Sequence, residues 1–294
     1  MTGALPGADV LFWWGAERPW LESSWAAAGD LRWIQSASDG VDGLLFPALA
    51  ASDVQVTNAR GVFDDSIAEW AIAAIMAFAT GLRRSIVDTT DGRWEDGRSR
   101  SRVAGSHLVV VGPGPIGRGA ARRARHLGMH VTLVGRAPRD DSEFGRIEGP
   151  EDLHEALGRA DHVLNALPLA EGTRRLFDGA AFAAIKPGAV FLNVGRGGTV
   201  EEPALLDALA AGRLAGAALD VFDEEPLPAD SPWWSAPNTI VSPHVCGDFE
   251  GWERAVVDVF VDNLGRYARG EPLRNPVDVR AGFGIGRVER WPTR

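Results

Sequence analysis

A doubly wound α/β domain accompanied by a second, smaller α/β unit is the fold that this sequence predicts, and three observations predict it. Apolar strand-like runs alternate with helical segments along almost the whole chain instead of segregating into separate regions. One of these alternations, LVVVGPGPIGRGAARRARHLGMHVTLVG, is strand, glycine loop, helix and strand without interruption. At 294 residues the chain is long enough to bury two cores.

In order, residues 9–14, 31–35 and 54–58 read as strands, with a helix over 20–28 between the first two. Five tryptophans fall in this region (Trp13, Trp14, Trp20, Trp25 and Trp33), where core and interface packing is the expected role. Residues 66–82 are apolar nearly all round and read as a buried helix bridging two domains. The polar stretch 88–102 reads as a surface loop. After the glycine-loop unit come a helix over 151–157, strands over 162–166 and 189–194, a helix over 201–211, and strands over 217–221 and 238–242. A long helix over 251–270 then carries the chain back to the first domain. The expected division is a substrate domain of 1–82 and 251–294 around a nucleotide domain of 83–250.

The glycine loop carries the most specific local chemistry. Leu108, Val109, Val110 and Val111 form the continuous apolar run of a strand covered on both faces. Gly112 permits a tight turn, Gly114 lets the backbone approach a ligand, and Gly117 lets the next helix pack against the strand. Pro113 and Pro115 stiffen the loop, and the helix beginning near Ile116 aims its N–H groups and positive dipole end at it. The spacing alone is weak evidence, but strand, helix and second strand (130–134) supply the context required for a dinucleotide pyrophosphate.

Composition narrows the function. A net charge of -10 argues against nucleic acid, which needs a basic face. Arg122, Arg123 and Arg125 read as the solvated side of an amphipathic helix. No run approaches membrane-spanning length and the N-terminus lacks the pattern of a secretory signal, so a cytoplasmic location is expected. One cysteine, Cys246, leaves no disulfide framework, and the scattered histidines give no metal-ligand spacing.

Three further segments each follow a predicted strand: NVGRGG around Arg196, LDVFDEEPLP with Asp220 and Glu225, and VSPHVCG around His244. Open α/β sheets bind ligands at the carboxyl ends of their strands, so these segments share an edge with the glycine loop. Reduction of a keto acid by hydride requires a cation for the carboxylate and carbonyl, and a proton donor of near-neutral pKa. Arg196 and His244 are those types, and Glu225 beside the imidazole would favour its protonated form. Taken singly, Arg196 reads equally as a capping or ion-pair residue and Glu225 as a solvated acid.

The ordered set GPGPIG, LPLAEGTRRLF, NVGRGG, LDVFDEEPLP and SPH resembles the D-isomer-specific 2-hydroxyacid dehydrogenase family, from about Leu31 to the end. The resemblance implies a Rossmann-type nucleotide domain inserted into a smaller flavodoxin-like substrate domain, a homodimer formed through the nucleotide domain, and a small 2-keto or 2-hydroxy acid as substrate, glyoxylate or hydroxypyruvate for example. It places the catalytic roles on Arg196, Glu225 (the acid directly before Pro226) and His244. It also assigns Asp220 to the nicotinamide carboxamide, Leu167 and Pro168 to the adenosine side, Val194 and Gly195 to the cofactor edge, and the backbone N–H groups of Asp39 and Gly40, with Arg196, to the substrate carboxylate. A dinucleotide-sensing corepressor and a formate or phosphite dehydrogenase are the alternatives carried by the same scaffold.

Five departures from the family pattern stand out. A strand and helix usual before residues 9–14 are missing from this sequence, which implies an upstream start or cover from a dimer partner. Ser38-Asp39 replaces a common Gly-Ala pair, and the acid at Asp39 repels an anionic substrate unless its side chain turns away. Trp70 stands where many members have His and is expected at the domain interface, while Cys246, where Ala is common, is expected to pack beside the His244 loop. The second strand of the nucleotide unit ends at Gly135 where NAD-specific domains carry Asp or Glu, and Arg136 and Arg139 follow, so NADP is the expected cofactor, with NAD possible.

Overall fold

The structure is a computed structural model that describes residues 5–15, 18–96, 100–280 and 283–284. In chain order the elements are β1 (Val10–Trp13), α1 (Arg18–Ser23), β2 (Trp33–Ser36), α2 (Pro47–Ala50), β3 (Gln55–Thr57), α3 (Asp64–Ala79), α4 (Leu82–Thr90), β4 (His107–Val111), α5 (Pro115–His126), β5 (His130–Val134), β6 (Arg139–Asp141), β7 (Gly145–Ile147), α6 (Leu153–Arg159), β8 (His162–Asn165), α7 (Gly179–Ala184), β9 (Val190–Asn193), α8 (Glu202–Ala210), β10 (Gly216–Leu219), β11 (Thr239–Val241), α9 (Trp252–Ala268), β12 (Val277–Asp278) and β13 (Phe283–Gly284). Among the described residues they fall into two units, one within 5–63 and 249–284 and one within 64–248.

The first unit is built on a three-stranded parallel sheet in the order β1-β2-β3. Leu21, Ile34, Leu49 and Val56 form its core with Trp13. Trp33 is fully buried and stacks on Phe260 and Tyr267 of α9 at 5.6 and 5.5 Å. Its indole N–H donates to Thr57 Oγ1 at 2.8 Å, and the Thr57 hydroxyl donates to Gln35 Oε1 at 2.7 Å. Asn263 of α9 donates to the same Gln35 oxygen at 2.9 Å, so the returning helix is fixed to the sheet by a satisfied polar chain inside the core. The other tryptophans pack as expected, Trp13 on Trp20 and Trp14 on Trp252.

The second unit is a Rossmann-type sheet of six parallel strands in the order β11-β10-β9-β8-β4-β5. Period-two alternation divides its side chains between two helical layers. Val109, Val111, Val163 and Phe191 face α6, α7 and α8, while Leu108, Val110, Leu164 and Leu192 face α3 and α5. The chain leaves β4 towards β5 on one side and returns to β8 on the other. That reversal is the topological switch point where such sheets bind ligands.

Helix α3 departs from the expected division, because the boundary falls between Phe63 and Asp64 instead of after residue 82. Ala68, Ala71, Ile75 and Ala79 share one core cluster with Ala120, Ala121 and Ala124 of α5. These small residues let the two helices approach so closely that a Cβ at Gly119 would lie 3.2 Å from Ala68 Cβ. Trp70, expected at a domain interface, is half-buried against the same cluster. Several elements were not anticipated: the short helices α2 and α7, α4, which reaches Thr90 into the segment read as loop, and the β6–β7 hairpin that follows β5. The three helix arginines are also not simply solvated. Arg122 pairs with Glu143, Arg123 with Asp65 and Glu69, and Arg125 lies over the Phe144 ring at 4.5 Å. Among the described residues no single helix is long and apolar enough to cross a membrane.

Candidate active site

The glycine loop has the shape its sequence demands. Gly112 has φ 109, and a Cβ there would lie 2.6 Å from Ala166 O, so the turns after β4 and β8 touch at the switch point. A Cβ on Gly117 would meet Gly112 O at 2.1 Å and Val110 Cγ1 at 2.9 Å. Gly114 faces open space, with nothing within 4 Å of where its Cβ would be, and it precedes α5 with Pro115 in the first turn and no side-chain cap. Two glycines closed by packing and one open at a helix N-terminus make a cradle that fits a dinucleotide pyrophosphate. Around it, Leu167 and Val194 are buried, Pro168 is exposed, and Gly195 packs so tightly that a Cβ would lie 2.5 Å from Leu167 O.

At the end of β5, a Cβ on Gly135 would sit 3.0 Å from Pro113 Cγ, 3.2 Å from Ile147 Cγ2 and 3.3 Å from Arg139 Nη1. Packing therefore opposes an acidic side chain at Gly135, and a guanidinium lies beside it. Arg136 is half-buried and Arg139 exposed in the same loop.

Arg196 follows β9, and its main chain is held by a buried network that sequence reasoning missed. Asn165 and Asn193 end neighbouring strands in register, and Asn165 Nδ2 donates to Asn193 Oδ1 at 2.9 Å and to Thr199 Oγ1 at 2.7 Å. The Thr199 hydroxyl and Asn193 Nδ2 donate to Arg196 O at 2.6 and 3.2 Å, while Gly195 N donates to Asn193 Oδ1 at 3.1 Å. The sequence does carry a trace of it: asparagine closes both apolar strands HVLN and VFLN. On the other side of the turn, a Cβ at Gly197 would lie 1.8 Å from Phe222 C, so the Arg196 loop rests directly on the loop that holds Glu225.

Glu225 and His244 are brought together. His244 Nδ1 and Glu225 Oε2 are 2.7 Å apart, and Glu225 Oε1 accepts Phe222 N at 2.8 Å. The hydrogen bond to Glu225 raises the His244 pKa above its ordinary 6.5 against the opposing effect of burial. Burial opposes ionisation of Glu225, but the hydrogen bonds from His244 and Phe222 outweigh it and leave the carboxyl below its ordinary 4.5. The Arg196 charge acts on both groups, so the three residues form one electrostatic cluster. His244 adopts φ 58, in the left-handed region, and its turn is pinned by Asp220. Asp220 is almost fully buried, and its Oδ1 accepts Ser242 Oγ at 2.6 Å, Val245 N at 3.0 Å and Cys246 N at 3.1 Å. Cys246 is buried beside it, as expected.

Asp39 and Gly40 belong to the first unit, where both are half-buried. Asn58 Nδ2 donates to Asp39 O at 2.6 Å and reaches Asp39 Oδ1 at 3.4 Å, and Ala59 N donates to Ser38 O at 3.1 Å. Asn58 therefore shapes this loop, a role with no trace in its sequence context.

The model of the D-isomer specific 2-hydroxyacid dehydrogenase NAD-binding domain matches residues 72–246, well over half of the chain. The chain belongs to the D-isomer-specific 2-hydroxyacid dehydrogenase family. It is an NAD(P)-dependent oxidoreductase of the CH–OH group of 2-hydroxy acids, and similar proteins agree. An (S)-sulfolactate dehydrogenase of Chromohalobacter salexigens is 37% identical over 239 residues, 81% of this chain and 77% of that protein. A glyoxylate/hydroxypyruvate reductase B of Citrobacter koseri is 33% identical over 258 residues, 84% and 78% of the two chains. Among solved structures, this dehydrogenase is similar to the NADPH-dependent glyoxylate/hydroxypyruvate reductase of Sinorhizobium meliloti in complex with NADP and sulfate. That similarity has a TM-score of 0.84 and 30% identity, covering 95% of this chain and 87% of the other.

Proposed function

We propose that this dehydrogenase reduces a small 2-keto acid, glyoxylate or hydroxypyruvate, to the D-2-hydroxy acid with NADPH, and that His244, Glu225 and Arg196 perform the chemistry. The observation that carries the reading is the 2.7 Å pairing of His244 with Glu225 within reach of the Arg196 charge. Bound nicotinamide supplies the hydride for the carbonyl carbon. Glu225 keeps His244 protonated, and the His244 ring nitrogen not engaged by Glu225 gives its proton to the carbonyl oxygen as the hydride arrives, so the alcohol forms without a free alkoxide. Arg196 holds the substrate carboxylate and draws electron density from the carbonyl, and the backbone N–H groups of Asp39 and Gly40 in the first unit are the further donors suited to a carboxylate. Asp220, whose Oδ1 accepts from Ser242, Val245 and Cys246 and whose Oδ2 also accepts Cys246 N at 3.2 Å, is the acceptor for the nicotinamide amide.

The NADPH preference rests on the packed Gly135 and on Arg136 and Arg139, which suit a 2′-phosphate. A homodimer through the nucleotide unit accords with Leu82, Ile86 and Trp94, which expose 54%, 61% and 95% of their surface there. A panel of 2-keto acids assayed with both reduced nicotinamides tests the reading. Turnover of glyoxylate or hydroxypyruvate with higher kcat/KM for NADPH is expected; no turnover of any 2-keto acid would favour a binding protein, and preference for NADH would remove the cofactor assignment alone.

A further inference from the structure

We infer that Arg118 is the positioning residue that sets cofactor specificity, by tying the pyrophosphate loop and the β6–β7 hairpin into one body. The inference rests on the NADPH reading above. Arg118 leaves the first turns of α5 and grips both segments that flank the adenosine end. Its Nε donates to Pro113 O in the glycine loop at 3.1 Å, while Nη1 donates to Asp141 Oδ1 at 3.2 Å and Nη2 to Asp141 Oδ2, a two-pronged pair. Asp141 in turn closes the hairpin tip, where its Oδ1 accepts Glu143 N at 3.1 Å and Phe144 N at 3.0 Å. The Arg118 guanidinium holds the Asp141 carboxyl far below the usual carboxylate range.

The rest of the hairpin is fastened to the same helix. Phe144 lies under Arg118 at 5.4 Å and under Arg125 at 4.5 Å, and Arg125 donates to Glu143 O at 2.7 Å. At its other end the hairpin rejoins β5, with Gly135 N donating to Glu148 O and Glu148 N to Leu133 O, both at 2.9 Å. The loop carrying Arg136 and Arg139 is thus bounded by a sheet at one end and by the Arg118 clamp at the other. Arg139 itself is exposed and donates a long hydrogen bond, 3.4 Å, to Ala137 O, so its place depends on the hairpin backbone. A guanidinium selects a phosphate only where it is already held, because ordering a long side chain on binding costs affinity. Arg118 has its charge matched by Asp141, so it acts through the hairpin and not as a phosphate ligand.

The test measures dissociation constants of NADPH and NADH by titration calorimetry, without substrate, for the wild type, for Arg118→Ala, Arg118→Lys and Asp141→Asn, and for the double variant Arg118→Ala/Asp141→Asn. Loss of the clamp is expected to weaken NADPH at least about fivefold while NADH changes less than about twofold, with Arg118→Ala and Asp141→Asn non-additive because they break one interaction. Arg118→Lys keeps the charge but cannot grip both partners, so it should behave like Arg118→Ala. Asp141→Asn preserves shape and keeps the test open if Arg118→Ala folds poorly. Equal weakening of both cofactors, or an unchanged ratio, overturns the inference while leaving the NADPH reading in place. A wild type that binds both cofactors equally overturns that reading and the inference with it.

Discussion

His244 occupies a backbone conformation that non-glycine residues seldom adopt, and three neighbours keep it there. Asp220 takes the N–H groups of Val245 and Cys246, Ser242 anchors Asp220, and Glu225 fixes the ring. If His244 donates the proton, His244→Ala should lower turnover at least about a hundredfold with cofactor affinity nearly unchanged. Near wild-type rates in the purified variant would remove it from the mechanism. Glu225→Gln makes a separate prediction. Glu225 raises the His244 pKa, so keto-acid reduction in the wild type persists above pH 6.5, and in Glu225→Gln the alkaline limb of kcat/KM should move to lower pH. A limb that stays in place would show that Glu225 does not tune the proton donor. Linkage has the same origin. The raised His244 pKa stabilises the fold fully below pH 6.5 and less as pH rises through the folded value, whereas the lowered Glu225 pKa stabilises it fully above pH 4.5 and less as pH falls through its folded value. The pair therefore contributes most between those two values.

At the level of elements, the contact between the turn after β9 and the loop after β10 sets the distance from Arg196 to Glu225. Gly197 is the point of closest approach, and Gly197→Ala would press a methyl into Phe222 backbone. Overpacking against main chain costs about 1–3 kcal/mol, so melting should fall by several degrees and kcat should drop, with both read on the same preparation. An unaltered kcat would mean that the two loops move independently. Elements with a strong apolar period were legible in the sequence: β5 spans the residues read for it, and α5 starts one residue before the Ile116 read for it. The β6–β7 hairpin was not legible, because Arg139–Asp141 and Gly145–Ile147 carry charge where a strand signal needs alternating apolar residues. Helix α4 hid for a similar reason, since Leu82 and Ile86 are exposed and make no buried stripe. The first boundary was misplaced because an all-round apolar helix declares that it is buried but not against what. In the candidate site, the charged groups were legible from motif order. Asn165, Asn193, Thr199 and Asn58 were not, because a polar residue that only holds backbone looks like any strand-end or turn residue until its partners are known.

For the whole molecule, the two units have separate cores, and the glycine cradle lies entirely in Asp64–Asp248. Calorimetric scans with NADPH at about a hundred times its dissociation constant should show the transition of that unit stabilised by about 2.7 kcal/mol. A shift confined to another transition would place the cofactor elsewhere. Acid should weaken the same unit. His162 is buried in β8, where loss of hydration pushes its pKa down to about 4, so the unfolded chain takes up a proton between pH 6.5 and 4 that the folded chain refuses. Stability should fall by about 3 kcal/mol over that range, and His162→Phe should flatten the fall in denaturant titrations at pH 7 and 5. The buried Cys246 gives the molecule a further property. It is the single thiol in the chain, burial and the nearby Asp220 carboxylate keep it protonated, and its own N–H is tied to Asp220. Alkylation must wait for the His244 turn to open, so the labelling rate of the native protein by iodoacetamide is a clock for that opening, and it should slow when a nicotinamide amide engages Asp220.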